Sequence, residues 1–159
     1  MFNRIFPRQF DNAYRGHWLG LWLFVLVALA KLAMGANSII NTRFVATSAD
    51  GIPLDSYTAG GAQTAVALFA LLGLFNLLLG IQSVVVAIRY RAMIPFMYLL
   101  YLILFVGSRA LALVHPIDRS GATTFGSSGI SIGPAFILAI AAVTLLGFVL
   151  SLQNKEGAR

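Results

Sequence analysis

The sequence contains no cysteine and very few acidic residues. Without cysteine among its 159 residues, the chain cannot form a disulfide, a thiolate nucleophile, a cysteine-bound iron–sulfur cluster or a c-type haem attachment. Asp and Glu together number five, and all of them lie outside the long apolar stretches. The chain therefore lacks the intramembrane acids that proton pumps and proton-coupled carriers commonly use.

Charge of either sign is scarce. Charged residues make up 10% of the chain and hydrophobic residues 59%, whereas a soluble domain carries about 25% charged residues. A soluble fold of this length would need a polar shell that the composition does not supply. We therefore predict an integral membrane protein.

Four apolar stretches are present, each near or above the roughly 20 residues that a helix needs to cross the hydrocarbon core. They cover residues 18–40, 60–88, 92–114 and 132–152. Helices are expected because backbone groups in lipid must be hydrogen-bonded within the segment. The prediction is an all-α bundle of four transmembrane helices, forming a single domain over residues 1–159. We expect the first stretch to be a retained span and not a cleaved signal peptide, since about 17 residues precede it.

The cations predict the orientation. Arg43 and Arg119 are the cations of the first and third connecting stretches, residues 41–59 and 115–131. Seven cations lie in the segments on the other side: Arg4, Arg8, Arg15, Arg89, Arg91, Lys155 and Arg159. By the positive-inside rule both termini are cytoplasmic and the two loops face outward. The net charge of +6 then reflects membrane topology, and we expect no nucleic-acid partner.

The two histidines do not form a metal or haem site in this topology. His17 and His115 would lie on opposite sides of the membrane, so they cannot share a metal or a haem. We predict neither a metal site nor a cofactor.

The two halves of the chain show a weak similarity. Residues 70–73 read ALLG and residues 144–147 read TLLG, and the first and third spans each carry one late cation, Lys31 and Arg109. Because both halves would start inside, this indicates a parallel two-helix repeat. Chance similarity between helices rich in Leu, Ala and Gly is an equally good explanation.

Lys31 is the most informative candidate for a functional residue. It lies about 20 Å along the first span, and a buried cation in lipid must reach a partner or water. The candidate partners are Gln63, Asn37, Asp50, Asp55, lipid phosphate or a group on another protein, and outward snorkelling is the alternative. At a similar depth, Lys31, Gln63 and Arg109 could line one pocket for an anionic or quinone-like ligand, below Asp55, His115 and Asp118. Snorkelling to the headgroups is the alternative for Arg109.

Small and hydroxyl residues recur at helical spacing on two spans. They indicate faces where membrane helices approach closely and hydrogen-bond, and we assign them to helix packing: Gly73, Asn76, Gly80, Ser83, Thr144, Gly147 and Ser151.

Three segments resemble DoxX-like small four-helix membrane proteins of bacteria. They are ALAKL at residues 28–32, GGAQTAVALFALLGLFNLLLG at 60–80 and RYRAMIPFMYLLYLILFVGSRAL at 89–111. Where that group often has a glutamate early in the second helix, this chain has Gln63. The resemblance implies a multi-pass protein of the bacterial cytoplasmic (inner) membrane. It also implies a small subunit of a membrane oxidoreductase assembly, and the assembly could be one that reacts with quinone.

We weigh three functions. The first is a non-catalytic accessory or anchoring subunit that contacts membrane lipids and a partner membrane protein or further copies of itself. The second is a binding protein or carrier for a small amphiphilic or anionic ligand in the outer leaflet. The third, an enzyme acting on a lipid or quinone, is disfavoured by the absence of intramembrane acids, thiols and paired histidines.

Overall fold

Four long helices follow one another along the chain in the computed structural model, which describes residues 5–7, 9, 11–115 and 132–153. They are α1 (Trp18–Ile40), α2 (Ala59–Arg89), α3 (Ile94–Val114) and α4 (Ile132–Leu152). Short helical turns connect them at Thr42–Phe44, Val45–Ala49, Leu54–Ser56 and Arg91–Met93. The described residues contain no strand, so the all-helical class is confirmed for this part of the chain.

Local sequence explains where the first three helices begin. The His17 imidazole accepts a hydrogen bond from the Leu19 amide (3.2 Å), and the Thr58 hydroxyl accepts one from the Gly61 amide (3.2 Å). Both bonds satisfy amides that have no partner within the helix. Pro95 lies in the first turn of α3, where its missing N–H removes no helical hydrogen bond.

Three of these helices have the length and composition of membrane spans. They are α1, α2 and the segment Arg91–Val114, which contains α3. In α4, the part with described side chains, Phe136–Leu152, is a shorter apolar helix. A membrane location is therefore the interpretation that the helices support.

Helix α1 packs most extensively against α2, across small residues. A Cβ atom added to Gly80 would lie 2.8 Å from the Leu32 amide nitrogen, and one added to Gly73 would lie 2.8 Å from the Ser38 Cβ. A Cβ atom on Gly35 would collide with the backbone of Leu77. Any larger side chain at these positions would push the two helices apart.

Most of the other residues assigned to packing are also buried, while Asn76 is partly buried. Ser83, Thr144 and Ser151 are at most 1% exposed, and a Cβ atom on Gly147 would collide with the Tyr98 ring. The hydroxyls of Thr144 and Ser151 donate to carbonyls of their own helix, at 2.7 and 2.6 Å. Gly147 thus allows α4 to pack closely against α3.

The packed core lies at one end of the bundle, here called the terminal end. At this end the chain before α1 meets the other helices: the His17 amide donates to the Leu150 carbonyl (3.1 Å), and the Ala92 amide donates to the Asp11 carbonyl (3.3 Å). The fully buried residues come from the early parts of α1 and α3 and the late part of α2: Phe24, Val27, Val86, Ile94, Met97, Tyr98 and Tyr101. The terminal end is therefore closed.

The opposite end, here called the loop end, carries residues 41–58. A small cluster of Ala46, Ile52 and Leu54 packs there against Phe69 and its neighbours on α2. Gly51 turns the chain with a φ of 68°, a conformation that glycine adopts without a steric penalty. This cluster fixes the connecting segment beside the start of α2 and leaves the space between the helices open.

Candidate ligand-binding site

The bundle contains a cleft of 460 Å³ in its loop half, lined by side chains from all four helices. This volume lies within the range of about 300–1,000 Å³ that is usual for small-molecule sites. Most of the wall is apolar, and the polar lining residues are Lys31, Asn37, Ser38, Asp50, Asn76 and Ser108. On their respective helices, Lys31 and Asn76 are the lining residues nearest to the closed core, so they form the floor of the cleft.

Lys31 is buried and is hydrogen-bonded across the helix interface. Its residue surface is 5% exposed, and it lies about 13 Å below the loop end of α1 at 1.5 Å per residue. The Nζ atom donates to the Asn76 Oδ1 atom at 3.0 Å. The side chain therefore points into the bundle and does not snorkel to the surface.

Two aromatic rings complete the surroundings of the amine. The Lys31 Nζ atom lies 5.6 Å from the centroid of the Tyr101 ring and 5.4 Å from that of Phe105, distances at which a cation is attracted to a ring face. The Tyr101 hydroxyl lies 2.7 Å from the Ser83 Oγ atom and donates to the Leu79 carbonyl at 3.2 Å. These bonds hold the Tyr101 ring in place beneath the amine.

Asn76 is the cleft residue whose partner the sequence pattern does not reveal, because its spacing from Gly73 and Gly80 indicates only a face that packs against another helix and hydrogen-bonds to it. Its Nδ2 atom donates to the Leu72 carbonyl at 3.1 Å, which directs the Oδ1 acceptor toward Lys31. The sequence signal that could identify Asn76 as a partner is its position on the small-residue face of α2. Because Gly73 and Gly80 on this face contact α1, a polar side chain between them faces α1 as well.

The candidate partners of Lys31 divide between two places. Asn37 and Asp50 line the same cleft as Lys31. Asp55 instead pairs with Arg43 at 3.3 Å on the surface of the loop end. Gln63 lies with this ion pair in a separate cavity of 680 Å³ and does not line the Lys31 cleft.

Arg109 lies in a third cavity, apart from those of Lys31 and Gln63. It is exposed on α3 and lines a groove of 420 Å³ between α3 and α4. The structure thus distributes Lys31, Gln63 and Arg109 over three cavities and does not bring them into one pocket. A similar depth along three helices does not determine which face each side chain occupies. His115 is exposed, and Asp118 lies outside the described residues.

The terminal end also holds a buried tyrosine hydroxyl. The Tyr14 hydroxyl is buried and has no hydrogen-bond partner within the described part of the chain. Burial raises the pKa of this tyrosine from 10.0 to about 12, since the phenolate would lose its hydration. Tyr14 therefore stays neutral at physiological pH and serves the packing of this end.

The cleft has the chemistry of a binding site. Its floor offers a lysine ammonium beside an amide, and an amide does not ionise at neutral pH. Among the described residues, no group of three His, Cys, Asp or Glu side chains could hold a metal ion. The arrangement can hold an oxygen acceptor of a ligand whose remaining surface is apolar.

Comparison with protein-family models, with curated proteins and with solved structures finds no match to this chain.

Proposed function

We propose that this protein binds a small amphiphile in the cleft between its four helices, with Lys31 holding an anionic or carbonyl oxygen of the ligand head. One observation carries the proposal: a lysine residue that is 5% exposed lies at the floor of a 460 Å³ cleft with mostly apolar walls. A lysine at this depth is costly unless a partner compensates its charge. The Asn76 amide supplies one acceptor, and an ammonium has three donors.

The proposal includes the topology. Four spans follow from the apolar stretches, and cytoplasmic termini follow from the distribution of the cations. The location in the bacterial inner membrane is what the resemblance to DoxX-like proteins implies. The loop end then faces outward, and the cleft lies in the outer leaflet. The parallel two-helix repeat belongs to the same proposal, although Lys31 and Arg109, the cations that it equates, differ in burial.

The cleft favours ligand binding over the accessory-subunit role. The small residues that could meet a partner chain, such as Gly73, Gly80 and Gly147, contact neighbouring helices of this chain. The relation to DoxX-like proteins, the quinone-linked assembly and the homo-oligomer stay predictions from sequence.

The test is native mass spectrometry of the protein extracted with the lipid of its own membrane. Wild-type protein should carry a small molecule at a fixed stoichiometry, and Lys31→Met should lose it. Arg43→Gln, which removes an exposed cation outside the cleft, should retain the ligand. A Lys31→Met protein that is folded and still carries the same molecule would contradict the proposal, while a co-purifying polypeptide in place of a ligand would favour the accessory role.

A further inference from the structure

The cavity that contains Arg109 lies next to the cleft. This is the 420 Å³ groove between α3 and α4, and its walls are apolar side chains, among them Val106, Leu113, Leu138 and Ala141. Val106, Leu113 and Leu138 are exposed on the outside of the bundle, where lipid chains would contact them in a membrane. The groove is therefore open to the bilayer.

Arg109 is the charged side chain in this groove. Within the described part of the chain it has neither an ion pair nor a hydrogen-bonding partner. It lies about 7 Å below the loop end of α3 at 1.5 Å per residue, and an unpaired arginine at this depth requires an anionic or hydrated group. The groove thus combines a cation with surfaces that fit an acyl or prenyl chain.

The groove and the Lys31 cleft share a wall. Phe105 and Ile137 line both cavities, and the Phe105 ring lies 5.4 Å from the Lys31 Nζ atom. Both side chains are only partly buried. Phe105 and Ile137 are therefore the side chains that separate the groove from the cleft.

We infer that the ligand enters from the bilayer through this groove: Arg109 first binds the anionic head of a single-chain amphiphile, which then passes Phe105 and Ile137 to reach Lys31. The inference rests on the proposed function, and it names the ligand class and the source of the ligand. Charge complementarity supports it, because each cavity places a cation in a mostly apolar lining, Lys31 in the cleft beside the lining residue Asp50 and Arg109 in the groove. A rim cation of this kind changes association rates more than final affinity.

The test is an exchange experiment in phosphatidylcholine nanodiscs, with oleate as the probe. Isotope-labelled oleate is bound to the whole protein and chased with unlabelled oleate, and native mass spectrometry follows the exchange. We expect wild-type exchange to be about tenfold faster than exchange in Arg109→Gln, the scale of an electrostatic effect on association, with similar oleate occupancy at equilibrium. Ala141→Leu, which fills the groove, should slow exchange as well, and Arg43→Gln is the matched control with wild-type kinetics.

The outcomes separate the route from the proposed function. If Lys31→Met abolishes oleate binding while Arg109→Gln and Ala141→Leu exchange at the wild-type rate, the groove route is wrong and the cleft remains the binding site. If Lys31→Met binds oleate with unchanged stoichiometry, the cleft does not bind this class of amphiphile, and the inference is overturned with it. Because Arg109 and Ala141 contact the groove from the outside of the bundle, both variants should fold.

Discussion

Replacing Lys31 by methionine should stabilise the ligand-free protein while removing its ligand. A lysine at the centre of a membrane helix costs about 3 kcal/mol. The hydrogen bond to Asn76 offsets about 0.6 kcal/mol of this cost, and the two aromatic rings offset about 1.5 kcal/mol. A methionine fills a similar volume without the charge, so we expect a net stabilisation of about 1 kcal/mol.

The measurement is thermal unfolding of delipidated protein in synthetic phosphatidylcholine. For a chain of this size, a change of about 1 kcal/mol moves the Tm by about 2–4 °C, upward for Lys31→Met. Ser83→Ala is the matched control, because Ser83 is fully buried and bonds to Tyr101. Its removal should lower the Tm, since it leaves a structural hydrogen bond unmade.

In native lipid, the Tm of wild-type protein should be higher than that of Lys31→Met, the reverse of their order in synthetic lipid. A ligand that binds only the folded state raises the Tm in proportion to RT ln(1 + [L]/Kd), so wild-type protein should gain stability in its own lipid extract and Lys31→Met should not. If Lys31→Met instead lowers the Tm as much as Ser83→Ala does, Lys31 serves packing and the reasoning about the site is refuted.

Three further predictions concern the fold, the topology and the terminal end. Gly35→Leu should destabilise the protein by about 1–3 kcal/mol through overpacking because its Cβ atom meets the Leu77 backbone, whereas Gly107→Leu, with open space around it, should leave the Tm nearly unchanged. Since the chain has no cysteine, single-cysteine variants report topology: Ser56→Cys should react with an impermeant maleimide from outside the cell and Gln153→Cys only after lysis, and the reverse pattern would overturn the orientation. The folded-state pKa of Tyr14 is raised to about 12, so its contribution to stability is complete below pH 10 and is lost as the pH rises through 12. The Tm should fall over this interval, and Tyr14→Phe should show a smaller fall; equal curves would contradict the burial of this hydroxyl.

The helix positions follow from sequence because simple physical limits set them. The thickness of the hydrocarbon core fixes the length of an apolar stretch, and cap residues such as His17 and Thr58 define where helices start. The helix bounds lie within two residues of the apolar stretches. The packing faces can be predicted from the sequence for a similar reason, since glycine at helical spacing permits two helices to approach closely.

The arrangement of the site does not follow from sequence in the same way. Lys31 stands out as a charge within an apolar run, but its partner depends on how α1 and α2 are rotated relative to each other. In soluble helices a polar face encodes this rotation, whereas helices surrounded by lipid are apolar on nearly every side. For this reason the sequence does not show that Arg109, in the loop half of α3, occupies the outside of the bundle, and Asn76 is recognised as a partner only in the folded chain.

The chemical environment of the Lys31 amine tests the binding site most directly. The sequence contains two lysines, Lys31 and Lys155, so Lys155→Arg leaves Lys31 as the only lysine and ε-15N-lysine labelling then gives a single side-chain NMR signal. We predict that this signal shifts when protein in synthetic phosphatidylcholine receives the lipid extract of its own membrane, because a ligand oxygen joins Asn76 as a partner of the Nζ atom. A signal at the same position in both samples would show that no ligand reaches Lys31, and it would contradict the proposed function.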